Sequence, residues 1–193
     1  MVGSLALVLV SPVFLLCLLA VCVESGSPVF FKQTRLGLNG KLFKMLKFRS
    51  MFVNSVDLRN ADGSTYNGLN DPRVTRVGSW LRKFSLDELP QLINVIRGDM
   101  SIVGPRPDVP DAINKYRDED HVRLSVMPGM TGWAQIHGRN SLSWERRRDL
   151  DGEYVRSHTL WMDMCIIFQT FPIVLLGRGI YVEKPEKEQK GAL

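Results

Sequence analysis

Asp87, Gln91 and Asn94 recur at i, i+4 and i+7, a spacing that puts three polar groups on one face of an otherwise apolar helix. Asp87 is followed directly by Glu88. An aspartate with an ordinary pKa of about 3.9 is ionised at neutral pH and can attack as a nucleophile without a general base. Its difficulty is repulsion: two unit charges at about 4 Å and an effective dielectric near 20 repel by about 4 kcal/mol. A carboxylate approaching a diphosphate therefore needs cations. Lys47, Arg49, Arg106 (held between Pro105 and Pro107) and Arg139 (after the glycine-rich run 128–138) are candidates to supply them. Mg²⁺ held by Asp87, Glu88 and substrate phosphates would add to the set. This is a phosphoryl-transfer constellation. The bland reading of the same residues is a capping box, with Ser85 and Glu88 three apart at the start of a helix. Neither glycine-rich turn is a Walker loop or a dinucleotide fingerprint.

The elements that must position these groups follow from the pattern. Val29–Arg35 and Leu42–Phe52 flank Gly37-Leu38-Asn39-Gly40, which predicts a β-hairpin. Asn54–Pro72 reads as a mobile loop. Leu86, Leu89, Ile93 and Ile96 predict a helix from Leu86, stopped by Gly98. Further helices are expected over Asp111–Val126 and Ser143–Val155, the latter with Trp144 and Tyr154 as packing anchors. Met162–Leu176 reads as a core or interfacial helix, too short and broken to span a bilayer. The tail, Glu183–Leu193, reads as frayed.

The chain has 193 residues, with 25 Lys or Arg and 20 Asp or Glu, and none of these charges falls within Met1–Val23. The fourteen Leu, Val or Phe residues in that stretch mark a membrane element. It lacks the basic start of a signal peptide. Pro12 removes a hydrogen bond to Val8, and the Ser11 hydroxyl can replace it. Two arms of about ten residues are each about half a bilayer long. A kinked span and a re-entrant hairpin both satisfy that geometry. Six basic residues from Lys32 to Arg49, with no acid between Ser25 and Val56, mark the cytoplasmic side and suit anionic lipid headgroups. Three cysteines without framework spacing exclude a disulfide scaffold, and three histidines without ligand spacing argue against a zinc enzyme.

Taken together, Ser11-Pro12, Lys47-Phe48-Arg49-Ser50-Met51, 85–92 (SLDELPQL), 94–101 (NVIRGDMS), 103–107 (VGPRP), 128–135 (PGMTGWAQ), Gly138-Arg139-Asn140, Ser143-Trp144 and Asp163 resemble the bacterial sugar transferases. These are monotopic polyprenol-phosphate phosphoglycosyl transferases, and the likeness is strongest to the short, catalytic-domain-only form of bacterial N-linked glycosylation. The resemblance implies transfer of a sugar-1-phosphate from a UDP-sugar to undecaprenyl phosphate with release of UMP, in the first membrane step of glycoconjugate biosynthesis. It implies a covalent phosphosugar intermediate on Asp87, a magnesium site at Asp87 and Glu88, phosphate contacts from Lys47 and Arg106, and a nucleotide contact from Arg139; Arg49, by its charge, and Gln91 and Asn94, by their place on the Asp87 face, are further candidates for phosphate or nucleotide contacts. The 138–144 run points to an N-acetylated amino sugar. The Ser-Pro break implies a re-entrant helix over 1–23, a catalytic domain over 24–182 on the cytoplasmic face of the inner membrane, and a flexible tail over 183–193. The expected fold is α+β, mainly α: membrane helix, β-hairpin, then a small helical body with interfacial helices. The family's usual short basic segment ending in Phe-Asp does not precede the apolar stretch, a departure that bears on anchoring strength more than on catalysis.

Membrane lipids are expected partners, a homodimer is compatible with the sequence, and nucleic acid is not expected, because no aromatic-interleaved basic strip is present. Two other classes compete. A membrane-tethered binder of anionic lipid or other polyanions would leave Asp87 dispensable. A metal-dependent UDP-sugar hydrolase would release the phosphosugar into solution rather than place it on lipid.

Overall fold

The computed structural model describes residues 2–56, 58, 66, 68 and 71–177. Most of the loop expected over Asn54–Pro72, and the whole 183–193 tail, lie outside the described residues. Helices dominate and the strands form two small pairs, the α+β, mainly helical arrangement the pattern predicts.

Helix α1 (Val2–Ser25) runs through Ser11-Pro12 without interruption of its helical assignment. The break expected there is confined to hydrogen bonding. Pro12 has no N–H to donate, and the Ser11 hydroxyl donates to the Val8 carbonyl at 2.8 Å. Cys17 and Val21 are buried with Phe48 and Leu81, and Phe14, Phe30, Leu86 and Leu89 pack around them. Near its start, α1 lies so close to the body that a Cβ on Gly3 would sit 2.9 Å from the Val95 side chain. The opposite face leaves Leu5, Val8, Leu9, Leu16 and Leu19 exposed.

Strands β1 (Phe30–Leu36) and β2 (Leu42–Phe48) form the expected hairpin, registered from Phe30 opposite Phe48 to Leu36 opposite Leu42. Asn39 and Gly40 make the turn at φ 53° and 74°. β2 stops at Phe48, four residues short of the predicted end, because Arg49 turns toward α1. Its Nη2 donates to the Ser25 carbonyl at 2.6 Å, the Ser25 hydroxyl at 2.8 Å and the Gly26 carbonyl at 2.8 Å. A cation suits those carbonyls at a helix C-terminus. Arg49 is therefore an anchor for α1, and the structure does not bring it into the phosphate-binding set.

Helix α2 (Arg76–Lys83) is capped by Thr75, whose hydroxyl accepts from the Gly78 N–H at 2.9 Å. The helix expected from Leu86 is divided. Leu86–Glu88 forms a 3₁₀ turn, Pro90 occupies the cap, and α3 spans Gln91–Arg97, ending at Gly98 (φ 78°) as predicted. Asn94 is wholly buried. Its Oδ1 accepts from the Leu46 N–H at 2.9 Å, and its Nδ2 donates to the Lys44 carbonyl at 2.9 Å and Asp99 at 3.1 Å. The side chain thus stands in for a missing strand along the free edge of β2, which corrects its assignment as a substrate ligand. Asn94→Ala should lower stability by about 3 kcal/mol, since it strands two buried backbone groups and opens a small cavity. Thermal unfolding should show the loss.

Strands β3 (Ser101–Val103) and β4 (Gly129–Thr131) pair in parallel, and their backbones continue in contact. Gly104 N–H donates to Thr131 and Gly129 N–H to the Pro105 carbonyl, each at 2.9 Å. A Cβ on Gly129 would fall 2.1 Å from the Gly104 nitrogen. The glycines of these turns therefore allow two chains to touch and fix the segment carrying Arg106. The single helix expected over Asp111–Val126 is instead two short 3₁₀ stretches, Pro110–Lys115 and Asp118–Ser125. Helix α4 (Trp133–Ile136) is one turn, and α5 (Trp144–Ser157) starts where predicted, with the Ser143 hydroxyl accepting from the Arg146 N–H at 3.2 Å. Tyr154 is buried as expected; Trp144 is half-buried, with the Arg148 guanidinium 4.1 Å over its ring. Helix α6 (Leu160–Leu175) buries Ile166 against Val103 and Tyr154 and leaves Trp161, Phe168, Phe171 and Leu175 exposed.

Candidate active site

The 3₁₀ turn carrying Asp87 and Glu88 is held from below by Leu86 and Leu89, which pack into the cluster formed with α1. β2 brings Lys47 to it from one side. The loop after β3 brings Arg106 from the other.

Glu88 is the electrostatic centre. Its Oε1 accepts from Lys47 Nζ at 2.8 Å and from Arg106 Nη2 at 2.5 Å, and its Oε2 from Arg106 Nη1 at 3.3 Å. Burial pushes this carboxyl up, but the charges and hydrogen bonds of Arg106 and Lys47 outweigh it and hold Glu88 well below the usual carboxylate range. Arg106 is correspondingly locked in its charged form.

Asp87 is treated differently by the same surroundings. Lys47 Nζ lies 4.0 Å from its Oδ2, and among the described residues its carboxyl accepts no hydrogen bond. Burial raises it above the ordinary carboxylate range, Lys47 offsets part of that, and the adjacent Glu88 charge adds to it. The ordinary acidity expected from sequence is thus corrected: Asp87 is the more basic of the two carboxylates, and so the better nucleophile of the pair when ionised.

Arg139 reaches the site from the turn after α4. Its Nη2 donates to the Ser85 hydroxyl at 2.8 Å, while its Nη1 is buried without a partner among the described residues. Burial works against its charge, and it feels the charges of Glu88, Arg106 and Asp87. Gln91 is 1% exposed, and neither amide atom has a hydrogen-bond partner among the described residues. The structure therefore gathers Asp87, Glu88, Lys47, Arg106 and Arg139, places Gln91 one turn beyond Asp87 in the interior, and uses Arg49 and Asn94 elsewhere. It also settles the capping box. Ser85 sits in the left-handed region and makes no side-chain cap. Its hydroxyl goes to Arg139 and the Glu88 carboxylate goes to Lys47 and Arg106.

The profile of the family described as bacterial sugar transferase matches residues 1–177. The chain belongs to that family. It is 45% identical over 190 residues to the exopolysaccharide production protein ExoY of Rhizobium meliloti strain 1021, covering 93% of this chain and 84% of that protein. It is 47% identical over 176 residues to the UDP-glucose:undecaprenyl-phosphate glucose-1-phosphate transferase of Escherichia coli K12, covering 87% of this chain but 37% of that longer protein. The undecaprenyl-phosphate galactose phosphotransferase of Salmonella typhimurium LT2 is 40% identical over 191 residues, covering 93% of this chain and 40% of that one.

Several groups that organise this sugar transferase's site carry no local sequence signal. Arg123 donates to the Arg106 carbonyl at 3.1 Å and is itself held by Asp108 and by Asp151 at 2.6 Å. Arg148 and Arg117 hold Asp120 behind it. The buried pairs of this ladder join residues 15 to 28 positions apart, and through Arg123 they fix the main chain that presents the Arg106 guanidinium. Arg82 lies close enough to Asp87 to favour its ionised form. Clusters of alternating charge in sequence read as solvated helix faces, and only the fold shows which of them turn inward.

Proposed function

We propose that this sugar transferase moves a sugar-1-phosphate from a UDP-sugar to undecaprenyl phosphate and releases UMP. One observation carries the reading. A buried, raised carboxyl without hydrogen-bond donors, Asp87, stands beside a carboxylate, Glu88, that gathers Lys47 and Arg106 at the same point. In the first half-reaction an ionised Asp87 oxygen attacks the β-phosphorus, the bond to the bridging oxygen breaks, and UMP leaves with the electron pair. In the second, a phosphate oxygen of the lipid attacks the same phosphorus and Asp87 departs as carboxylate. Lys47 and Arg106 offset the phosphate charge throughout, and Arg139 meets the nucleotide side of the donor.

Magnesium fits this donor set as an ion shared with substrate. Two adjacent carboxylates are hard oxygen donors, and among the described residues no cluster of three His, Cys, Asp or Glu side chains offers a closed cage. Asp87 and Glu88 would hold it, and it would supply charge neutralisation at the phosphates. The related proteins named above for a sugar are named for glucose or galactose. These names favour a neutral hexose over the N-acetylated amino sugar to which the 138–144 run points.

The test is UMP release from UDP-glucose, UDP-galactose and UDP-N-acetylhexosamines with undecaprenyl phosphate and Mg²⁺, following the labelled sugar. Label on lipid from one donor supports the transferase. Labelled sugar phosphate in solution supports the hydrolase, and no UMP from any donor supports the binding protein.

We also propose that α1 enters and leaves the membrane on the cytoplasmic face. Contact of Gly3 with α3 at one end, and of Cys17 and Val21 with β2 and α2 toward the other, supports re-entry. In proteoliposomes, a cysteine at Ser4 and the native, exposed Cys22 should react with an impermeant maleimide from the same side. Labelling from opposite sides would establish a span.

A further inference from the structure

Ser85 does something its sequence context does not predict. Helix α2 ends at Lys83, and Ser85, two residues on, takes φ 53° and ψ 21° while its N–H donates to the Arg82 carbonyl at 3.0 Å. This is the left-handed stop at which glycine is the default residue, and α3 ends on Gly98 with φ 78° in just that way. A serine here accepts backbone strain that a glycine would avoid. Its hydroxyl, in the position the strain creates, accepts from Arg139 Nη2 at 2.8 Å. Arg139 is itself a non-glycine residue in the left-handed region, at φ 52°. The two residues are 54 positions apart in the chain, so one hydrogen bond joins two strained turns. It leaves Arg139 Nη1 buried, and without a partner among the described residues, beside the carboxylate pair.

We infer that Ser85 is a positioning residue: its hydroxyl holds the Arg139 guanidinium so that the unpartnered Nη1 meets an oxygen of the nucleoside diphosphate donor. This inference rests on the transferase reading. Because Ser85 opens the turn that carries Asp87 and Glu88, the same residue ties the nucleotide contact to the reacting carboxylate. A donor seated on Arg139 is thereby registered against Asp87, two residues from the hydroxyl that holds the arginine.

Ser85→Gly separates this role from a structural one, because it relieves the left-handed backbone while removing the hydroxymethyl group that reaches Arg139. Melting temperature should equal or exceed wild type while the donor KM rises about tenfold, with kcat for lipid transfer changed far less. In an Arg139→Ala background the same substitution should have no further effect on KM. An unchanged KM, a fall in melting temperature that accounts for the lost activity, or additivity with Arg139→Ala would overturn the inference. A second readout needs no turnover. The ¹⁵N–¹H guanidinium signals of Arg139, assigned by their loss in Arg139→Lys, should show restricted rotation in wild type and free rotation in Ser85→Gly. Equal rotation in both would overturn the positioning role. Failure of every UDP-sugar to react, with the rotation difference present, would reject the transferase reading and leave the Ser85–Arg139 coupling standing.

Discussion

Asp87→Asn should lower UMP release roughly 10,000-fold without loosening the fold, because it removes the proposed nucleophile and keeps the shape. Two features of the site make the effect specific. The wild-type carboxyl is raised by burial and by Glu88, so its ionised form is disfavoured in the folded protein. A carboxyl with a raised folded pKa costs stability as pH rises past its unfolded value, since the native state then binds more protons than the unfolded one. Replacing it with an amide should therefore leave the melting temperature at neutral pH unchanged or higher. A large loss of stability in Asp87→Asn would show that the carboxylate serves the fold instead. Wild-type kcat/KM for the donor should fall as pH is lowered through the raised Asp87 pKa, the direction set by the need for a free carboxylate. Incubation with donor alone should leave labelled phosphosugar on the peptide containing Asp87, and none in Asp87→Asn.

Glu88→Gln is expected to fail in the opposite manner. Glu88 accepts from two partly buried cations, and removing its charge leaves Lys47 and Arg106 facing each other across an amide. Breaking a buried pair in this way costs about 3 kcal/mol, or roughly 10 °C in melting temperature for a chain of this size. The sign with pH follows from its depressed pKa. The stability Glu88 contributes is fully present above its unfolded pKa of about 4.3 and is lost as pH falls through the lower folded value. In Glu88→Gln that acid-side loss should flatten. Turnover should drop about 100-fold, and the acid limb of the activity profile should move to lower pH, because the charge that raises Asp87 has gone and Lys47 is free to favour its ionised form. Scanning calorimetry from pH 3 to 7 beside donor kinetics checks both halves. An acid limb that stays in place would mean that Glu88 does not act on Asp87.

Local signals carried the hairpin, the Gly98 stop and the start of α5, because turn chemistry, left-handed glycines and serine caps act over a few residues. The adjacency of Asp87 and Glu88, and the restraint of Arg106 between prolines, pointed to the site for the same reason. Sequence spacing misassigned Asn94 and Arg49. Each has the type of a ligand, but the free edge of β2 and the last carbonyls of α1 claim them, and both partners come from elsewhere in the chain. Ser85 matched a capping box letter for letter. Pro90 ends that possibility by splitting the helix, so the first turn is 3₁₀ and the serine and glutamate side chains are released to other partners. The Arg123–Asp108–Asp151 ladder was invisible because Arg123 looks like the wet side of a helix that does not form, Asp108 lies in the loop before it, and Asp151 looks like the wet side of α5.

Lys47 and Arg49 give the end of β2 one last consequence. The first grips the Glu88 carboxylate and the second grips the carbonyls where α1 finishes. Two peptide units separate them, no more than about 7 Å of chain. The Asp87–Glu88 pair is therefore tethered close to the point where α1 ends. On the reading proposed above, that strand end would act in lipid as a depth gauge: it would set how far above the hydrocarbon the phosphates meet, by covalent length rather than by buoyancy.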